Sequence, residues 1–246
     1  IDSNKQVSTS INIDGDGNGE IDGLTFVLSG DAVPENDSLL WPHQWYLHYG
    51  PSASINGKKA WTYNIQFSKF LEKNAGGVSW LAHELFHCMW APDLYRYYAY
   101  GDPVGPWDLM ANTATVPQHM NGYMKYQYGN WMNSIPEITT GGSYSLSPST
   151  SSSNNLYKIK SSEPNQYYVL EYKQRQGTYE TNLPSEGLLV YRVNTSIADG
   201  NMFGRYDTYG ENDAVYIYRP SNSDSYINKA PLSAANGKTS MAATEM

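Results

Sequence analysis

Residues 77–93 read GVSWLAHELFHCMWAPD and contain the only closely spaced pair of histidines in the chain. Apolar residues recur through this stretch at three- and four-residue steps, which predicts an amphipathic helix with one buried face. That face would consist of Val78, Leu81, Ala82, Leu85, Phe86 and Met89. Pro92 disfavours the α conformation at Ala91, so we expect the helix to end near Trp90.

The two histidines of this helix are candidate zinc ligands. His83 and His87 are four residues apart, so they lie one turn apart on the same side of the helix. Two imidazoles in this arrangement can bind one zinc ion at about 2.0–2.1 Å. Glu84, rotated about 100° from His83, would reach a water on the metal and is the candidate general base. Asp93 is the candidate third ligand, provided that a sharp turn after the helix returns it to the histidines. Two histidines and one carboxylate, with a fourth position open for water, are typical of a catalytic zinc site.

A chance occurrence of H-E-x-x-H, with both histidines merely packed or hydrogen-bonded, is the alternative. The specificity of the motif, the helix pattern and the following Asp favour zinc. Cys88 is the only cysteine and adjoins His87, but on a helix it would point about 100° away from that ligand. We therefore expect Cys88 to be a small buried side chain outside the metal set. One cysteine forms no internal disulfide, so it does not identify the compartment.

A second metal signal lies near the start of the chain, where residues 14–22 read DGDGNGEID. The first half matches an EF-hand loop, with oxygen-bearing side chains at alternate positions and glycine at the turn. The second half departs from it, because Thr25 stands where an EF-hand has its bidentate Glu and the run LTFVL predicts a strand. A metal-free acidic hairpin turn is the alternative, but crowded carboxylates repel one another, which favours a structural calcium ion. The candidate ligands are Asp14, Asp16, Asn18, Glu20 and Asp22.

The composition limits the class of protein. Twenty-two Tyr, seven Trp and 16% charged residues in a chain of 246 are typical of a well-packed extracellular protein. A net charge of −8 argues against nucleic acid as a partner. No apolar run is long enough to span a membrane. The chain shows neither a signal peptide nor a propeptide, which we interpret as a mature fragment.

Other patterns predict the remaining elements. Alternation predicts a half-buried strand over residues 61–67, and residues 119–129 read as a helix that ends at Gly129. Strands are also predicted over residues 156–159, 167–172, 187–193 and 214–218, which makes the C-terminal part rich in β structure. Within it we expect Glu171 to pair with Arg175.

The stretch HELFHCMWAPDLY at residues 83–95 resembles the zinc signature of the immune inhibitor A (thuringilysin) family, secreted bacterial metallopeptidases related to the metzincins. The resemblance implies that His83, His87 and Asp93 bind zinc and that Glu84 is the base. Trp90 stands where the family has the glycine that folds the chain back. A non-glycine residue at positive φ costs about 1–3 kcal/mol, so either Trp90 takes this strain or the turn is built differently.

Further blocks carry the same resemblance. GPWDLM at residues 105–110 is similar to the family's methionine-turn segment, which implies that Met110 lies beneath the zinc. WPHQW at residues 41–45 resembles a family element, but we expect His43 to be a hydrogen-bonded residue without a chemical role. By analogy, the strand at residues 61–67 would border the cleft and pair with extended substrate.

We therefore expect an α+β, metzincin-like zinc peptidase fold in a single catalytic domain over residues 1–246. Its two lobes would surround a cleft, with residues 1–90 carrying the calcium loop and active-site helix and residues 91–246 the methionine turn and β-rich tail. The expected function is a secreted, monomeric, zinc-dependent endopeptidase that acts on protein or peptide and carries a structural calcium ion. The alternatives are a degenerate, non-catalytic zinc- and calcium-binding extracellular interaction module, for which Trp90 argues, and zinc hydrolysis of a non-peptide substrate.

Overall fold

The structure is a computed structural model that describes residues 7–30, 41–47, 53–72, 76–204 and 212–245. The chain divides into two compact units, Ile1–Trp90 and Ala91–Met246. Both helices and sheets are present, which confirms the α+β class at this coarse level. Across the described ranges, every helix is too short or too polar to serve as a membrane span.

The first unit is built on a three-stranded sheet. In chain order its strands are β1 (Thr25–Leu28), β2 (His43–Tyr46), β3 (Ser54–Ile55), β4 (Lys58–Lys59) and β5 (Thr62–Phe67). β5 lies in the middle of the sheet, parallel to β1 and antiparallel to β2, while β3 and β4 form a separate hairpin. β5 confirms the strand predicted over residues 61–67, and β1 confirms that the acidic loop leads into a strand.

The central position of β5 contradicts the role that analogy gave it. A peptide can add to a sheet only along an edge strand, where backbone donors and acceptors are unpaired. Both sides of β5 are already paired, Asn64 being opposite Thr25 of β1 and Gln44 of β2. Pairing with an extended substrate is therefore wrong for residues 61–67.

Two helices complete the first unit, α1 (Ser68–Glu72) and α2 (Gly76–His87). α2 contacts β2 and β5. The helix was predicted, and Phe86 of the expected buried face is enclosed, together with Ser79 and His83. Val78, Leu85 and Met89 of that face are exposed, so the prediction is wrong for these three residues. Apolar periodicity misassigned them because this helix also encloses polar side chains, which such a pattern assigns to solvent.

The second unit contains a four-stranded antiparallel sheet in the order β6-β7-β8-β9. Its strands are β6 (Leu156–Lys160), β7 (Gln166–Lys173), β8 (Gly187–Asn194) and β9 (Val215–Ile217), which confirms the predicted β-rich part. The helix α3 (Gly122–Gln127) is shorter than the predicted 119–129. It starts at Gly122 because the side chain of Asn121 caps it by accepting from the backbone N–H of Met124 at 3.0 Å.

A buried ionic cluster on β7 replaces the pair predicted for Glu171. The ammonium of Lys173 lies 3.1 Å from Glu171 and 3.7 Å from Glu180, and all three side chains are enclosed. Arg175 instead donates to backbone carbonyls of Leu183 and Pro184. The expected Glu171–Arg175 pair is wrong because residues two apart on a strand share a face, and Lys173 is the nearer cation on that face.

Candidate metal centre

Helix α2 places the two predicted histidine ligands side by side. The ring centroids of His83 and His87 are 4.9 Å apart and the rings are perpendicular. His83 is buried and His87 is half-buried. Glu84, the predicted base, is only 5% exposed, so its carboxylate is largely withdrawn from bulk water. The four-residue spacing therefore produces the predicted pairing.

The chain then reverses in a tight turn. The backbone N–H groups of Cys88, Met89 and Trp90 donate to carbonyls three residues earlier, at 3.1, 3.0 and 2.9 Å, so the helix tightens into 3₁₀-type bonding. Trp90 then adopts a φ of 64°. Of the two possibilities left by the sequence, the structure shows the first: Trp90 takes the left-handed conformation that favours glycine.

Asp93, the predicted third ligand, is buried and is held by residues that the sequence did not identify. Its carbonyl accepts from the backbone N–H of Asn201 at 2.9 Å. Gly200 has a φ of +63°, and a Cβ there would lie 2.2 Å from the Asp93 carbonyl oxygen. The hydroxyl of Tyr97 donates to Oδ2 of Asp93. Only the turn-forming character of residues 199–201 (DGN) was visible in the sequence.

The predicted methionine segment lies next to this part of the chain. The carbonyl of Met110 accepts from the backbone N–H of Leu94, the residue after Asp93, at 2.8 Å. Met110 itself is fully buried. Asp108 supports the segment because its side chain accepts from the backbone N–H of Met110 at 2.7 Å.

His83, His87 and Asp93 each offer one ligand atom, and these atoms all lie within 4.8 Å of one another. Tetrahedral ligands at about 2.0–2.1 Å from an ion are roughly 3.4 Å apart, so small side-chain rotations would bring the three atoms onto one ion. Two imidazoles and one carboxylate are also the donor types that zinc prefers. The residues present therefore fit zinc.

One phenol and one thiol near the candidate ligands have raised pKa values. Burial, followed by the charge of Asp93, raises the pKa of the Tyr97 phenol, so the hydroxyl keeps its proton and acts as the donor. Burial also raises the pKa of the Cys88 thiol, which keeps it a poor metal ligand. Cys88 is half-buried, and its sulfur accepts from the side chain of Asn64 at 3.8 Å. It is not a member of the grouped ligands.

His43 and His119 have structural contacts outside the ligand group. His43 bonds through Nδ1 to the carbonyl of Trp41 at 2.7 Å and through Nε2 to the hydroxyl of Tyr63 at 3.4 Å. This confirms the expectation that His43 is hydrogen-bonded. His119 packs edge-on against Tyr179.

The acidic loop brings together three of its four predicted carboxylate ligands. One carboxylate oxygen from each of Asp14, Asp16 and Asp22 lies within 4.8 Å of the others. Asn18 bridges the loop, accepting from the backbone N–H of Glu20 at 2.7 Å and donating to Asp16 at 3.0 Å. Glu20 pairs with Lys59 through its backbone, and its carboxylate is outside the group.

Asp14 shows why this loop is suited to a cation. Its Oδ2 accepts from Lys58 at 2.6 Å and from the backbone N–H of Gly19 at 3.1 Å. The hydrogen bond from Lys58 lowers the pKa of the Asp14 carboxyl, so the group is charged near neutral pH. Its other oxygen, Oδ1, is buried and has no hydrogen-bond partner in the described part of the chain. A buried carboxylate oxygen of this kind needs a cation or a donor.

Comparisons with protein-family models, with curated proteins and with solved structures find no match for this chain.

Proposed function

We propose that this protein is a zinc-dependent endopeptidase in which His83, His87 and Asp93 bind the ion. The observation that carries the proposal is the grouping of these three ligand atoms within 4.8 Å, two of them on helix α2, which also carries Glu84. Two histidines from one helix and a carboxylate from the following turn leave a coordination position for water, which distinguishes a catalytic zinc centre from a structural one.

Glu84 is the residue that moves protons. When bound, zinc supplies Lewis acidity that polarises a carbonyl and lowers the pKa of water toward about 7. Glu84 takes the proton from the attacking water and later gives it to the leaving amine. Its position one residue after His83 places it beside the ligands rather than among them. Its burial removes competing solvent and strengthens its electrostatic interactions at the site.

Strand β2 supports an extended peptide as the substrate. Within the described residues β2 is an outer strand of the three-stranded sheet and pairs with β5. An outer strand is where an extended peptide can add to a sheet. β2 also contacts α2, the helix that carries the two histidines. We therefore assign the substrate-pairing role to β2 in place of β5.

The loop of Asp14, Asp16 and Asp22 is proposed as a structural calcium site. Oxygen ligands at alternate positions of a glycine-rich loop are the arrangement that calcium prefers. Together with the resemblance of residues 83–95 to the immune inhibitor A family, this leads us to propose a secreted, metzincin-like bacterial enzyme.

The non-catalytic module loses its main sequence argument. That argument was that Trp90 would prevent the turn that returns Asp93 to the histidines. The turn instead forms with Trp90 at a φ of 64°, and Asp93 groups with both histidines.

The proposal is tested by cleavage of unfolded casein in zinc and calcium, with bound zinc quantified in every sample. Glu84→Gln keeps the shape of the side chain and removes its basicity, so we expect full zinc content and a rate at least 100-fold lower. Glu72→Gln, an exposed position on α1, is the matched control and should cut like wild type. A zinc-loaded wild type that fails to cut casein or a panel of unfolded peptides would overturn the peptidase assignment.

A further inference from the structure

We propose that Tyr97 is a positioning residue that sets the zinc affinity of the centre by fixing the carboxylate of Asp93. This inference rests on the proposed zinc site and extends it to a side chain that does not bind the ion. The observation behind it is the hydrogen bond from the Tyr97 hydroxyl to Oδ2 of Asp93, whose side chain is 4% exposed.

Asp93 needs such support because of where it lies. His83 and His87 are held by a regular helix, whereas Asp93 follows a strained turn and lies outside any helix or strand. A ligand on irregular backbone has more ways to move away from the ion than one on a helix, and metal affinity falls when a ligand must be ordered on binding.

The main chain around Asp93 is fixed by a distant segment. Asn201 donates its backbone N–H to the carbonyl of Asp93 at 2.9 Å and its side-chain amide to the carbonyl of Leu94 at 2.9 Å. The carbonyl of Met202 accepts from the backbone N–H of Tyr97 at 3.1 Å. Residues 201–202 therefore hold both ends of the loop from Asp93 to Tyr97.

With its main chain fixed, Asp93 has only its two side-chain torsions free. The Tyr97 hydroxyl restricts both of them, because a hydrogen bond to one carboxylate oxygen sets the position of the whole group. Hydrogen bonds from such partners orient metal ligands, and their loss typically weakens metal binding about 10- to 100-fold. Tyr98 and Tyr100 do not share this position, since they are 79% and 89% exposed.

The test measures zinc affinity by competition with a chelator of known affinity, and not activity. Tyr97→Phe removes only the hydroxyl, and we expect it to weaken zinc binding about 10- to 100-fold. Tyr100→Phe removes an exposed hydroxyl from the same loop and should bind zinc within twofold of wild type. The absorption spectrum of the cobalt-substituted protein should also change in Tyr97→Phe and stay unchanged in Tyr100→Phe.

A double-mutant cycle separates positioning from general stability. In an Asp93→Ala background, Tyr97→Phe should cause no further loss of zinc affinity, because the carboxylate through which it acts is gone. Zinc affinity of Tyr97→Phe within twofold of wild type, or an equal loss in the Asp93→Ala background, would overturn the inference. If the wild-type protein binds no zinc, the proposed function itself is wrong. If wild type binds zinc and Tyr97→Phe binds it equally well, only the role of Tyr97 is wrong.

Discussion

The left-handed conformation of Trp90 predicts an unusual order of stability among substitutions at this position. Trp90→Gly and Trp90→Ala both remove the indole, which is 59% exposed, so they lose the same packing. They differ in backbone preference. At a φ of 64°, alanine is strained by about 1–2 kcal/mol and glycine is not. Glycine loses about 0.5–1 kcal/mol more conformational entropy on folding, so Trp90→Gly should be the more stable variant by about 0.5–1 kcal/mol.

Trp80 provides a matched control, at which the expected stability order of the glycine and alanine variants is reversed. It is a tryptophan of similar exposure, 40%, but it lies inside α2. In a helix interior, glycine is less favourable than alanine by about 0.8–1.0 kcal/mol. Trp80→Ala should therefore be more stable than Trp80→Gly by about that amount, whereas the order reverses at position 90.

Equilibrium urea unfolding of the four metal-free variants, followed by far-ultraviolet circular dichroism, measures these differences. If the slope of unfolding free energy against urea concentration is the same in all four variants, their unfolding midpoints can be compared directly. The Gly-minus-Ala difference in unfolding free energy should therefore differ between positions 90 and 80 by about 1.3–2 kcal/mol. If alanine is the better residue at both positions, Trp90 is not left-handed and the reasoning that links the turn to Asp93 is refuted.

Two further predictions concern charge. Lys58→Met should tighten calcium binding, measured by calorimetry, about 10- to 30-fold, because the Lys58 charge beside Asp14 repels a divalent ion by roughly 2 kcal/mol at 4 Å in water. The side chain of Lys59 lies over Trp61, so Lys59→Met is the control and should change the calcium affinity less. Weaker calcium binding in Lys58→Met would contradict the site. Burial raises the pKa of Asp108 from 3.8 to about 6. Between pH 3.8 and pH 6 the folded protein therefore binds more protons than the unfolded chain, and the free energy of unfolding falls as the pH rises. Relative to Asp108→Asn, wild type should lose about 2 kcal/mol of unfolding free energy from pH 4 to pH 7, and a flat or rising difference would show that Asp108 ionises normally.

Local sequence determined the elements that depend on near neighbours in the chain. The H-E-x-x-H spacing fixes the side-by-side histidines because a helix repeats every 3.6 residues. The alternating runs fix β5 and the strands of the second sheet, and the spacing of oxygens and glycines in the acidic loop fixes the group of Asp14, Asp16 and Asp22. Each of these patterns spans fewer than twenty residues, and its geometry follows from bonds within that span.

Tertiary structure alone decided the features that join residues distant in the chain. The buried face of α2 depended on what packs against it, so apolar periodicity was right for Phe86 and wrong for Val78, Leu85 and Met89. β5 became a central strand because β1 and β2 both pair with it, and no pattern within residues 61–67 contains that information. Asn201 and Gly200 hold Asp93 from more than one hundred positions along the chain. Sequence spacing specifies backbone periodicity, but the partners of a buried polar group are set by the packing of the whole unit.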